Sequence, residues 1–317
     1  MVQAALMKAG VRCEVLDTVS VPPRSRRRAV FKISGSEIGF HAAQSNTIVD
    51  MRECLVLTPG LFGLVQALRR RLALVLKAPA DLHVTETDTG FDLAFRSPQT
   101  VTPALTQAMA GAAAGLDIAR ILFNGALLLE RAAPEVVEGG ARVKLPPQAF
   151  LQPTREGEQA LQAHVAQIVG GAKTIADLFA GCGTFALPLA ARARVHAVEQ
   201  DAPALAALAE ASRAAGRKPV TTERRDLFKL PLTPAELNLY DAVVLDPPRA
   251  GAEAQAGQLA KSRVPTIAYV SCDAASFARD AAILAAGGYR PGVVTPIDQF
   301  LWSSHIELVA GFVRGKG

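Results

Sequence analysis

The residues with chemistry to offer sit at the ends of apolar runs in the second half of the chain. Asp177-Leu-Phe-Ala-Gly181-Cys-Gly183-Thr-Phe-Ala186 turns from one such run toward a helical pattern. Glycines at a turn of this kind let a backbone come close to a ligand. Glu199 closes the next run, RVHAVE, and Asp226 follows the third, VTTERRD. YDAVVLDPPRAG ends on Asp246 and two prolines, and TIAYVSCD ends on Cys272. A cysteine in an apolar run is ordinarily packing material. Cys272, however, stands just before Asp273 and a new helical pattern, where free backbone amides would favour a thiolate.

The carboxylates narrow the choice of ligand. Gly181-x-Gly183-x-x-Ala186 fits the dinucleotide fingerprint, so NAD has to be weighed. Glu199 is spaced to receive two ribose hydroxyls, which NAD and S-adenosylmethionine both carry. Asp177 discriminates between them. Beside a pyrophosphate it would add like-charge repulsion, whereas the methionine end of S-adenosylmethionine brings an ammonium. Asp226 is placed to reach the adenine amino group. Asp177, Gly181, Gly183, Glu199, Asp226 and Asp246 therefore read as the surroundings of a methyl donor.

Those residues need a parallel sheet to position them. After Pro146-Pro147, apolar runs rich in Val, Ile and Leu alternate with helical patterns at 201–215, 252–261 and 274–286. Such alternation means a doubly wound α/β sheet covered on both faces. A boundary near residue 150 leaves residues 1–150 as a smaller α+β domain and 151–317 as the ligand-binding one. In the first part, FKISGSEIGF and NTIVDM read as antiparallel strands, 63–77 and 103–115 as helices, and Asp88-Thr89-Gly90 as a hairpin turn. Arginines at 24–28 and 69–71 are the candidates for phosphate contacts.

Composition sets the outer bounds. The 317 residues suggest two domains, and 50% hydrophobic with 20% charged residues excludes a disordered or fibrous chain. A net charge of +5 is compatible with nucleic acid. Four scattered cysteines exclude a disulfide scaffold and a CxxC zinc site. No run is long enough to span a bilayer and no leader pattern opens the chain, so a cytoplasmic monomer without a membrane partner is the expectation.

DLFAGCGTFALPLA, DPPRAG, YVSCDAASFARD and SSHIELVAGF occur in one order, and together they resemble the S-adenosylmethionine-dependent RNA uracil-C5 methyltransferases. The resemblance covers residues 140–317 strongly and reaches the first domain more weakly, through SNTIVDMRECLVLTP. It implies a class I methyltransferase sheet, an RNA substrate and S-adenosylmethionine as the cofactor. It also assigns roles: Cys272 as nucleophile, Glu307 as base, Gln152 as a cofactor contact, Asp246 as a further holder of the target base and Arg249 as its positioner. The pair has a chemical rationale, because carbon 5 of uracil is a poor nucleophile until a thiolate adds to carbon 6. A base must then remove the carbon-5 proton so that the thiolate can leave. Large-subunit (23S) ribosomal RNA is the first expectation for the substrate and transfer RNA the second. Methylation of another RNA atom, or a non-catalytic RNA-binding remnant, are the alternatives. His305 reads as structural and Cys182 as packing. Many members of the family carry an N-terminal barrel and a [4Fe–4S] cluster held by four cysteines. Cys54 alone resembles a cluster ligand here, so the chain reads as N-terminally shortened, with no iron–sulfur cluster and no metal.

Overall fold

A computed structural model describes residues 2–42, 44–216 and 220–315. The chain forms two compact units, one of Met1–Val21, Val137–Val143 and Glu156–Gly317, the other of Pro22–Val136 and Lys144–Arg155. It passes between them at residues 21–22, 136–137, 143–144 and 155–156, where composition suggests a single cut near residue 150.

The larger unit opens with helix α1 (Val2–Lys8) and strand β1 (Val19–Ser20). The smaller unit then builds β2 (Arg28–Ser34), β3 (Glu37–His41), β4 (Ile48–Asp50), α2 (Pro59–Val75), β5 (Ala80–Thr87) and β6 (Gly90–Arg96). It continues with α3 (Pro103–Ala112), β7 (Ile118–Phe123) and β8 (Ala126–Glu130). Among the described residues its sheet runs β4-β3-β2-β5-β6-β7-β8, antiparallel except where β6 meets β7. Alternate residues of β2 (Ala29, Phe31, Ile33) and β5 (Ala80, Leu82, Val84) are buried against Leu61, Leu68, Leu105 and Met109 of the two helices. Both helices start at a threonine followed by proline. Thr58 and Thr102 accept the backbone N–H of Leu61 and Leu105, which satisfies donors the first turn leaves open. The β5–β6 hairpin turns through Gly90, whose φ of +115° suits glycine. A short ribbon follows, β9 (Glu135–Glu138) with β10 (Ala141–Lys144).

The larger unit resumes with α4 (Arg155–Val169), β11 (Thr174–Leu178), α5 (Ala186–Leu189), β12 (Arg194–Glu199), α6 (Ala202–Ala214) and β13 (Val220–Arg224). It ends with α7 (Pro234–Leu237), β14 (Ala242–Leu245), α8 (Glu253–Lys261), β15 (Thr266–Ser271), α9 (Ala274–Ala286), β16 (Tyr289–Asp298) and β17 (Glu307–Arg314). The strand order is β1-β16-β17-β15-β14-β11-β12-β13. Strands β11 to β15 are mutually parallel and, in the centre, buried at nearly every residue, as a sheet covered on both faces requires. From β11 the chain steps to β12 and β13 on one side, then to β14 and β15 on the other. That reversal opens a crevice beyond the carboxyl ends of β11 and β14. The doubly wound α/β sheet is the one the apolar runs imply.

One part departs from an all-parallel reading. Strand β17 lies antiparallel between β15 and β16. β16 itself is hidden in the sequence by Pro291, Gly292 and Pro296, and its register shifts between Pro291 and Val294. Among the described residues no helix is long and apolar enough to cross a membrane.

Candidate active site

Strand β11 drives Asp177 into the floor of the crevice, where its side chain is fully buried. Neither carboxylate oxygen has a hydrogen bond of good geometry, although the Ala186 amide lies near enough to favour the charge. Burial, and then the Asp246 and Glu199 carboxylates, push the Asp177 pKa well above its usual range. A carboxyl so placed is costly unless a cation joins it.

The turn after β11 is made by positive φ at Phe179 (65°), Gly181 (53°) and Gly183 (101°). A Cβ on Gly183 would sit 2.9 Å from Leu187 Cγ and 3.0 Å from Leu208 Cγ, so only glycine allows this approach. The Gly181 N–H donates to Glu199 Oε2 at 3.0 Å, while Glu199 Oε1 accepts from Gln200 (2.7 Å) and Asp201 (2.9 Å). Three amides thus fix the carboxylate that ends β12. Beyond β12 and β13 lies a hollow of about 470 Å³ lined by Gln200, Arg224, Arg225 and Asp226. Partial burial opposes ionisation of Asp226, but hydrogen bonds from Lys229 and the Phe228 N–H outweigh it and lower the pKa. Phe228 stands exposed there with its ring 5.4 Å from that of Phe179, an aromatic pair that the reading of the acids passed over.

The set fits S-adenosylmethionine: the orphaned Asp177 suits an ammonium, Glu199 two ribose hydroxyls, and Asp226 with Phe228 an aminated aromatic ring. Gln152 belongs to the smaller unit, where it is buried and its carbonyl accepts from Arg27 Nε at 3.1 Å.

The reacting end of the crevice depends on the antiparallel strand. Because β17 begins where β15 ends, with Leu308 opposite Ser271, Glu307 comes alongside the segment that carries Cys272. Glu307 is buried, and burial and then Asp246 raise its pKa to about 8 against a hydrogen bond from Gln299. Half-buried Asp246, whose N–H meets Leu178 O at 3.3 Å, is raised to about 7 by desolvation. Half-buried Cys272 is raised to about 11, by burial first and then by Glu307 and Asp246. Cys272, Glu307 and Asp246 therefore sit within one another's field.

This corrects the expectation of a resting thiolate. The amides at the start of α9, from Ala275 (3.1 Å) and Ser276 (2.9 Å), donate to Asp273 Oδ1. The helix terminus stabilises its own cap residue, and burial, with the neighbouring Glu307 and Asp246 carboxylates, favours the protonated thiol. Arg249 is exposed and turns to Asp273, with Nε 3.5 Å from Oδ2.

The arginine clusters are also corrected. Arg26, Arg27 and Arg28 donate to the carbonyls of Arg28, Gln152 and Leu151, Arg69 bonds Asp50 and Met51 O, and Arg71 bonds the carbonyls of Ala112 and Ala114. Only Arg24 and Arg70 of the two clusters are exposed. Cys54 is half-buried against the core of the smaller unit, and all four cysteines are free. Among the described residues no group of three or more His, Cys, Asp or Glu side chains is placed to hold a metal ion.

Comparison with known proteins gives this arrangement a context. No protein-family model matches the chain. An uncharacterized RNA methyltransferase of Brucella suis is 44% identical over 100% of this chain and 78% of its own length. A 23S rRNA (uracil-C5) methyltransferase of Pectobacterium atrosepticum is 30% identical over 99% of this chain and 74% of its own. Among solved structures, a tRNA (uracil-54, C5)-methyltransferase of Pyrococcus abyssi, in complex with S-adenosyl-L-homocysteine, superposes with a TM-score of 0.78 at 22% identity. That match covers 98% of this chain and 81% of the other. With the crevice as built and relatives of this identity and coverage, the chain belongs to the S-adenosylmethionine-dependent RNA methyltransferase family that includes the uracil-C5 enzymes.

Proposed function

We propose that this protein methylates carbon 5 of a uridine in RNA, as a cytoplasmic monomer, with Cys272 as nucleophile and Glu307 as base. The observation that carries the reading is the convergence of Cys272, Glu307 and Asp246 at the adjoining ends of β15, β17 and β14. Asp177, Gly181, Gly183, Glu199, Asp226 and Gln152 hold the cofactor, and Asp246 and Arg249 hold the uracil. When bound, S-adenosylmethionine supplies the electrophilic methyl group.

The residues of the chain do the rest. As the Cys272 sulfur bonds to carbon 6, its proton passes to the Asp246 carboxylate, which is ionised above about pH 7. The 5,6 double bond is thereby converted into an enolate that makes carbon 5 nucleophilic. Once carbon 5 is methylated, the Glu307 carboxylate takes the carbon-5 proton, the double bond re-forms and the bond from carbon 6 to sulfur breaks. The departing thiolate regains its proton from Asp246. Glu307 must be ionised for its step, so turnover rises with pH through about 8.

Ribosomal RNA of the large subunit is the substrate favoured by the Pectobacterium relative. The Pyrococcus structure favours transfer RNA as the second reading. The test of the chemistry is RNA containing 5-fluorouracil, in which no proton is available at carbon 5 for Glu307. The protein accumulates a covalent adduct on Cys272, whereas Cys272→Ala forms none and methylates nothing. Full carbon-5 methylation by Cys272→Ala would end the proposal. Mapping 5-methyluridine lost from rRNA or tRNA in cells lacking the protein separates the two substrates.

A further inference from the structure

The turn that delivers Glu307 to the crevice also displays the chain's single tryptophan. Trp302 is 68% exposed and has a φ of +61°, a left-handed conformation that is costly for a bulky residue. The turn is fixed by several bonds. The Phe300 N–H donates to Asp298 Oδ1 (3.0 Å), the Ser303 N–H to Phe300 O (3.0 Å) and the His305 N–H to Ser303 Oγ (3.2 Å). The Phe300 and His305 rings meet edge-on at 5.9 Å. At its base, buried Gln299 hydrogen-bonds Glu307. Trp302 is therefore held out into water by an arch whose feet grip the proposed base.

Against the same arch lies a cavity of about 360 Å³. Its apolar walls include Val15 and Pro296, and its polar edges are Gln3, Asp298, Ser303 and His305. An exposed aromatic face beside a cleft with both donors and acceptors is the chemistry that receives a nucleobase.

We propose that this arch is a second nucleobase subsite, in which Trp302 stacks on the base next to the target uridine while the cleft receives that base's hydrogen-bonding edge. The inference rests on the RNA reading above and adds a specificity site to it. Drawing a uridine out of its stack leaves the neighbouring base without a partner, and Trp302 supplies one two strand-ends from the reacting thiol. The hydrogen bonds of the turn hold the Trp302 backbone in place in the absence of RNA, so little main-chain ordering is needed when the base arrives.

Because Trp302 is the only tryptophan, its fluorescence reports on this site alone. Titration with a short uridine-containing single-stranded RNA should quench it saturably, in step with the anisotropy of the labelled RNA. Trp302→Ala should weaken RNA binding roughly tenfold, and Trp302→Phe should restore most of it. An abasic nucleotide beside the uridine should abolish the difference between wild type and Trp302→Ala, which a merely structural defect would not do. RNA that binds by anisotropy without quenching, or with equal affinity to Trp302→Ala, overturns the subsite and leaves the RNA reading intact. RNA that does not bind at all overturns both. Melting curves of the two variants that match wild type confirm that folding is not the cause.

Discussion

The two units treat buried charge in opposite ways. In the smaller one, Arg120 and Asp92 are both buried and meet in two parallel bonds, Nε to Oδ1 at 2.9 Å and Nη2 to Oδ2 at 2.7 Å. Arg120 also donates to the carbonyls of Leu145 and Pro146, so four of its five N–H groups are engaged. In the crevice of the larger one, Asp246 presses on Asp177 and on Glu307, and Glu307 and Asp246 press on Cys272. The same unit can satisfy an acid when it needs only to be structural. Asp280, fully buried, accepts from Tyr269, Arg279 and the Ala252 N–H. The acids that raise one another's pKa gather in the crevice, and they mark where positive charge and protons are meant to arrive.

This contrast can be broken at four points. The largest effect belongs to Asp92→Ala, which strands the Arg120 guanidinium and should cost about 3–5 kcal/mol in urea unfolding. A loss below about 1 kcal/mol would mean that water already reaches the pair.

Asp177→Asn should act with the opposite sign. The folded protein keeps its proton on Asp177 while the unfolded chain releases it, so this residue lowers stability as pH rises above about 4. The variant should melt a few degrees higher than wild type at about pH 8, match it near pH 4, and lose S-adenosylmethionine binding in calorimetry. Equal melting temperatures at both pH values would show that the carboxyl is solvated.

Glu307→Gln removes a carboxylate that opposes ionisation of Cys272. Its thiol pKa should fall below about 11, and iodoacetamide should alkylate it several-fold faster at about pH 9. A slower reaction would place Glu307 as the thiol's activator instead. The smallest effect is expected at the half-exposed Lys32–Asp81 pair, 2.8 Å apart, where Lys32→Ala should change stability by less than about 1 kcal/mol.

Much of the larger unit is legible in the sequence because central parallel strands are buried on both faces. Val243 and Ile267 therefore stand in unbroken apolar runs, and Ile175 in one that only Asp177 interrupts. The acids at the strand ends follow directly from that pattern. Strand β16 escapes it because prolines interrupt its run, and β17 reads like any parallel strand because direction leaves no trace in composition. The same holds for Val19 and Ser20, which pair with Ile297 and Asp298 nearly three hundred residues away. Charge state is hidden for a similar reason. Cys272 looks like a helix-activated thiol along the chain, and only burial in the folded unit, with Glu307 and Asp246 brought close by β17 and β14, reverses the sign. Runs of arginine suggest a solvated basic face, yet Arg27 is buried and bonded to a carbonyl from residue 152.

The pairing of the first residues with β16 has a mechanical corollary. Val15 bridges Val294, the Leu16 and Val294 amides are engaged across the same seam, and β1 continues it to Asp298. A strand at the rim of a sheet offers unpaired main-chain groups to any passing chain. Here the rim strand adjoining Glu307 is sealed by residues 15–20 of the same chain, so cutting away that segment would bare a sticky seam and drive the protein toward fibrous self-association.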